Sequence, residues 1–301
     1  MKKAFTLIEI LVVVGILGVV MATLVFYIGG NTESAHAVKC KTNLKNLANA
    51  VSSACITTDD DLYFPLAGSV ETMSVSLQSR GGSKKVYDEL PGWISWNSDG
   101  TYQSKPTDHA SSAGWFTSAY NQDPEIREYC ITNGSLYAYV RNHETYLCPA
   151  HLKKMPSNLR PAWSYVMNGY FGYDKSEGSD AVYNTYPGRR SSKVYAHSTL
   201  LFAELQWEDG IGDKPNFSTS SGFENDCTLQ YSENDGAEII GFNHKVGNDI
   251  VAHVVFADGH VDAIRYPRGG MSDNDLKELT KLLCTGKDYE IRDGKVRDIT
   301  E

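Results

Sequence analysis

The sequence predicts an α+β fold: a long N-terminal α-helix, membrane-spanning in its first half, packed on a C-terminal antiparallel β-sheet domain. Three observations predict it. From Phe5 to Ile28 only Thr6, Glu9 and Thr23 carry polar side chains. Beyond Gly29-Gly30, Val38, Leu44, Leu47, Ala48, Val51 and Ala54 recur with helical spacing while Lys39, Lys41, Lys45 and Asn49 point elsewhere, the pattern of an amphipathic helix. Past Cys55 the chain turns to short segments broken by Gly, Asn, Asp, Pro and Ser, with 18 Tyr and 5 Trp among 301 residues, a composition that suits strands and loops.

The apolar segment would form a helix of roughly 36 Å, longer than the ~30 Å hydrocarbon core of a bilayer. No second apolar run approaches that length, and with 41% hydrophobic and 22% charged residues the bulk of the chain is not a membrane bundle. Lys2 and Lys3 before the segment hold the N-terminus on the cytoplasmic side and send the rest across. Gly29-Gly30 costs about 1 kcal/mol per residue relative to Ala inside a helix, which predicts a flexible joint between the membrane and soluble halves.

Cys40, Cys55, Cys130, Cys148, Cys227 and Cys284 suit an oxidising compartment, either as disulfides or as buried thiols. Six cysteines allow fifteen full pairings, and the spacing selects none. A net charge of −9 argues against the basic surface expected of a nucleic-acid-binding protein, with DNA uptake as the alternative reading. Lys84-Lys85, Lys153-Lys154 and Arg189-Arg190 are isolated pairs and read as solvated surface.

The N-terminal segment has three readings. A cleaved signal peptide is compatible with the basic start and with Ala35-His36-Ala37, but the apolar stretch exceeds the usual 7–15 residues. A plain signal anchor explains the length and leaves Glu9 unexplained, since a carboxylate inside a membrane segment costs on the order of 2–3 kcal/mol. The third reading comes from Lys3-Ala4-Phe5-Thr6-Leu7-Ile8-Glu9 and the apolar run behind it, which resemble the signal of type IV prepilins and type II secretion pseudopilins.

That resemblance implies that a prepilin peptidase cleaves between Ala4 and Phe5 and N-methylates Phe5. Glu9 then becomes the fifth residue of the mature chain, paired with the terminal amine of a neighbouring subunit during assembly. The family usually carries Gly where Ala4 stands. The implied division is a basic leader at 1–4, a helix at 5–55 with its membrane-spanning part at 5–28, and a globular pilin-like domain at 56–301. The implied location is the inner membrane, crossed once, with the globular domain periplasmic or at the cell surface. The implied partners are prepilin peptidase, other pilin or pseudopilin subunits and inner-membrane lipid, with no nucleic acid.

In the soluble part Asp258-Gly259 sits between two apolar runs from Ile250 to Ile264, a strong hairpin signal. With a two-residue turn Ala257 faces His260, Phe256 faces Val261 and Val255 faces Asp262, so Val254, Phe256, Val261 and Ala263 form a core face. A second hairpin is expected from Tyr289 to Ile299 around Asp293-Gly294. Between them Asp273 to Leu283 has helical spacing, opened by a capping box of Ser272 and Asp275.

Phe242-Asn243-His244 followed by Val255-Phe256-Ala257-Asp258-Gly259 resembles the C-terminal signature of the prepilin-type H-X9-DG family. Cys40-Lys41-Thr42-Asn43-Leu44-Lys45, Tyr146-Leu147-Cys148-Pro149 and Ser164-Tyr165-Val166-Met167-Asn168 look like its other motifs, in its usual order. Thirteen residues separate His244 from Asp258, four more than the signature requires, and the extra length is expected to enlarge a loop around Lys245 to Asp249.

His244, His253, His260 and Asp262 raise a metal or acid–base hypothesis. HExxH, Cys-x-x-Cys and Gly-x-Ser-x-Gly patterns are all missing, so a polar exposed strand face and no enzyme activity are expected. No cofactor is expected beyond a structural calcium, for which Asn225-Asp226 and Glu233-Asn234-Asp235 offer oxygen-rich stretches. Trp93, Trp96, Trp115 and Trp207 read as core aromatics, or as stacking surfaces for sugar. The two functional expectations are therefore a structural filament subunit and a membrane-tethered surface module that binds polysaccharide.

Overall fold

The structure is a computed structural model that describes residues 7–58, 61–65, 93–94, 128, 131–154, 163–171, 194–205, 228–229 and 239–300. Helix α1 (Leu7–Ala54) is 48 residues long. It contains no proline, and it passes through Gly29-Gly30 without a break, so the expected joint is absent from its backbone. Its second half buries Ala37, Cys40, Leu44, Leu47, Val51 and Ala54, one stripe at steps of three and four. Val38, expected in that stripe, is 65% exposed, because it lies one residue, or about 100°, round the helix from Ala37.

The first half differs. Leu7 to Met21 exposes its large apolar side chains on every side of the helix. Among the described residues, no helix is long and apolar enough to cross a membrane. The structure thus does not show the span expected over 5–28.

After α1 come a short antiparallel pair, β1 (Ile56–Thr58) and β2 (Asp61–Tyr63), then α2 (Tyr137–Val140), a 3-10 turn (His143–Tyr146) and α3 (Pro149–Lys154). The main sheet is built from β3 (Tyr165–Asn168), β4 (Leu200–Glu204), β5 (Thr228–Leu229), β6 (His244–Val246), β7 (Asp249–Phe256) and β8 (Val261–Tyr266). Its pairs are antiparallel apart from β3 with β5. β8 runs along one edge of β7, while β4 and β6 share the other edge end to end: β4 pairs with Val254 to Phe256, and β6 with Asp249 to Val251.

Directly opposite residues point to the same side of a sheet. Tyr165 is opposite Glu204, and His244 is opposite Val251. Extending the β4–β7 register by one step places Glu204 beside His253. Tyr165, Glu204, His253 and His244 therefore line one face, and α1 packs over it. From Val251 to Phe256 every residue of β7 is buried, as expected of a central strand covered on both sides.

The β7–β8 hairpin forms one residue out of the expected register: Val255 faces Val261 and Val254 faces Asp262. The chain uses a three-residue turn, Ala257-Asp258-Gly259, in which Gly259 alone takes positive φ, +82°. Val254 and Phe256 are buried as expected, but Val261 and Ala263 are half-buried while Ile264 and Tyr266 are buried. The stretch from Lys245 to Asp249 is a tight hairpin rather than an enlarged loop, with Val246 facing Asp249 across Gly247-Asn248.

Helix α4 (Asp273–Thr285) starts at the expected cap, where Ser272 accepts the Asp275 N–H, and ends at Gly286 with φ +72°. It packs against β4. The final hairpin, β9 (Tyr289–Arg292) and β10 (Lys295–Asp298), has the expected two-residue turn, with Asp293 and Gly294 both at positive φ.

Candidate functional site

The helix motif beginning at Cys40 folds against the sheet through two side chains one turn apart. Asn43 donates to the carbonyls of Glu144 (3.1 Å) and Leu147 (2.9 Å), which fixes the chain just ahead of Cys148. The Cys148 carbonyl accepts the Leu152 N–H at 3.0 Å, so Cys148 caps α3 and Pro149 fills the first helical position, where a missing N–H costs nothing. Asn168 donates to the carbonyls of Leu200 (2.9 Å) and Cys284 (3.0 Å), joining β3 to β4 and to the end of α4.

Cys40 thereby reaches the sheet face beneath α1. Its thiol donates to Glu204 Oε1 at 2.5 Å, and Tyr165 OH approaches its sulfur at 3.4 Å. The same Oε1 lies 2.8 Å from His244 Nε2 and 3.1 Å from His253 Nδ1. His244 Nε2 is also 3.3 Å from Cys148 Sγ. Cys40, Glu204 and His253 are fully buried and His244 nearly so. Among the described residues, Glu204 Oε2, His244 Nδ1 and His253 Nε2 are buried without a hydrogen bond.

The charges follow from these contacts. Burial pushes the Glu204 carboxyl up, but the His244 charge and the hydrogen bonds from both histidines outweigh it and hold the group down at about 2. Burial acts against a charged His244, and the Glu204 carboxylate with the Cys148 contact overcomes it, raising the imidazole to about 10. Burial drives the Cys40 thiol well up, and the adjacent Cys148 and Glu204 add to that. Burial also raises Cys148, which hydrogen bonding with Cys40 and His244 brings down to about 7. Without an ion, the centre is a buried Glu204–His244 ion pair flanked by two thiols.

This arrangement corrects the expected exposed polar face for His244 and His253, and bears it out for His260 and Asp262. His244 and His253 are buried, whereas His260 and Asp262 are exposed. His260 stacks on Phe256 with ring centroids 4.4 Å apart and contacts Asp258 Oδ1 at 2.6 Å. The H-X9-DG-like residues are also divided. His244 enters the buried centre, while Asp258 and Gly259 shape the β7–β8 turn, where the Gly259 carbonyl accepts Lys45 Nζ at 2.7 Å.

Glu204 escaped the sequence reading, although a lone acid ending the apolar run Leu200-Leu201-Phe202-Ala203 was a visible signal. Trp93 is fully buried against Tyr146 and Phe202, a core aromatic. Glu9 is exposed in the first turn of α1. Ala4, Phe5, Cys130, Cys227, the acidic stretches considered for calcium, and Trp96, Trp115 and Trp207 lie outside the described residues.

The comparisons with known proteins meet the chain at its N-terminus. A family model described as the prokaryotic N-terminal methylation motif matches residues 1–25. The chain therefore carries a type IV pilin-like signal, the class of signal that prepilin peptidase processes. No curated protein and no solved structure matches the chain.

Proposed function

We propose that this chain is a structural subunit of a type IV pilus or type II secretion pseudopilus, cleaved after Ala4, N-methylated at Phe5 and assembled through α1. The observation that carries the reading is the contrast within one unbroken helix. From Ala37 to Ala54 one stripe of the helix is sunk into the globular core, while from Leu7 to Met21 the large apolar side chains are exposed on all sides. A helix surface of that kind needs lipid or other apolar helices around it.

In sequence the apolar run continues on the same helix to Ile28, long enough at roughly 36 Å to cross a bilayer. Cleavage creates an ammonium at Phe5, and pairing it with Glu9 of a neighbour offsets much of the cost of placing that carboxylate in lipid. The role is structural rather than catalytic, a reading that the burial of Cys40, Cys148, His244 and His253 supports. The burial of Trp93 removes one support from the polysaccharide-binding alternative.

Mass spectrometry of the mature membrane-associated protein tests the reading. N-methyl-Phe5 is expected at its N-terminus, and an intact Met1 would overturn the processing step.

A further inference from the structure

We propose that Cys40, Glu204, His244 and His253 bind one zinc-class divalent ion that fastens α1 to the sheet, with the Cys148 thiol beside His244 outside the ligand set. The inference stands on the soluble domain alone and does not depend on filament assembly. One ligand atom from each of the four residues falls within 4.8 Å of the other three. A tetrahedral site with bonds of about 2.0–2.3 Å sets its ligand atoms roughly 3.3–3.8 Å apart, so the widest pair closes by about 1 Å and the crowded atoms around Glu204 Oε1 spread.

The donor set selects the ion. Thiolate and imidazole suit zinc and its neighbours, while calcium takes six to eight oxygens and would find one carboxylate here. The charge also balances: a divalent cation, the Cys40 thiolate, the Glu204 carboxylate and two neutral imidazoles sum to zero, which suits a fully buried site. The unpartnered Glu204 Oε2 is a second oxygen available to an ion, where a buried carboxylate oxygen otherwise lacks a donor.

The full burial of three ligands and near-full burial of the fourth describe a closed structural site, without the open position that a catalytic zinc keeps. Its ligands come from α1, β4, β6 and β7, and Cys40 and Glu204 are 164 positions apart. One ion there ties the helix to three strands. Apolar residues of similar volume usually stabilise a core as well as buried charges do, so a charged cluster at this place calls for a further reason, and an ion supplies it.

The test uses the full-length chain in detergent, purified without chelator. Elemental analysis and native mass spectrometry are expected to find one zinc per chain, and cobalt substitution to give thiolate-to-metal charge-transfer absorption. Alkylation mapped by peptide mass spectrometry should show Cys40 protected when zinc is present and modified after chelation. Cys40→Ser and His253→Gln should each lose the bound zinc. The proposal is overturned if the wild-type chain takes up neither zinc nor cobalt, if Cys40 labels equally with and without zinc, or if both variants retain the ion. A Cys40–Cys148 disulfide in the purified chain would equally overturn it. The alkylation measurement needs no variant, so a substitution that prevents folding leaves the proposal testable.

Discussion

Glu9 and Glu204 are both lone carboxylates in apolar runs, and the structure treats them in opposite ways. Glu9 stands exposed in the first half of α1, where the large apolar side chains from Leu7 to Met21 are exposed on every side. Glu204 is fully buried, with Cys40, His244 and His253 gathered on one of its oxygens. The same local pattern thus has two remedies. The fold itself brings cations and donors to Glu204, and the proposed filament brings an amine to Glu9 from another copy of the chain.

Substituting each acid separates the two remedies. In the chelator-treated, ion-free chain Glu204→Ala leaves the His244 charge buried without its counter-ion, a change that costs about 3–5 kcal/mol, to be read as a lowered midpoint in denaturant unfolding of the full-length chain. A loss under about 1 kcal/mol would mean that the cluster holds nothing together. Glu9→Val should leave that midpoint unchanged and abolish incorporation into filaments. Unchanged assembly would remove Glu9 from the proposed mechanism.

His151 sharpens the comparison, because burial holds it neutral where partners hold Glu204 charged. Burial lowers its imidazole to about 4, with Lys154 adding to the effect and the Glu204 charge partly opposing it. The unfolded chain binds a proton there below about pH 6.5 and the folded chain does not until about pH 4, so stability falls as pH drops through that window. The shift amounts to about 3 kcal/mol. Replacing His151 with Phe should flatten unfolding free energy against pH between about 6.5 and 4, and an unchanged slope would assign the loss to another group.

What the sequence made legible was local. The buried stripe of α1 follows from side-chain spacing, and the start of α4 follows from Ser272 and Asp275. The two Asp-Gly hairpins show where local reading stops. At Asp293-Gly294 both residues take positive φ and the turn has two residues, whereas at Asp258-Gly259 only the glycine does and the turn takes in Ala257. The dipeptide permits either turn, and strand packing decides the register.

The buried centre was harder to see for a related reason. Cys40, Cys148 and His244 each belong to a motif that the sequence reading singled out, but nothing local says that those motifs meet. Their meeting depends on β4 and β6 sharing one edge of β7. Between β6 and β7 the chain makes a tight hairpin around Gly247-Asn248, and the alternation of faces along β7 from Val251, opposite His244, brings His253 to the same side as His244.

A third carboxylate completes the series with the smallest expected effect. Glu33 on α1 pairs with Lys153 of α3 at 2.5 Å, with side chains 35% and 61% exposed. The Lys153 hydrogen bond lowers its carboxyl chiefly against a modest burial cost, but water screens a pair this open. Such pairs contribute about 0–1 kcal/mol. Lys153→Ala should therefore move the unfolding midpoint by less than that, with a difference that shrinks as salt is added. A loss above about 2 kcal/mol that persists in high salt would mean that Lys153 anchors α1 to α3 by packing, and that the ranking of these acids by burial fails at its weakest member.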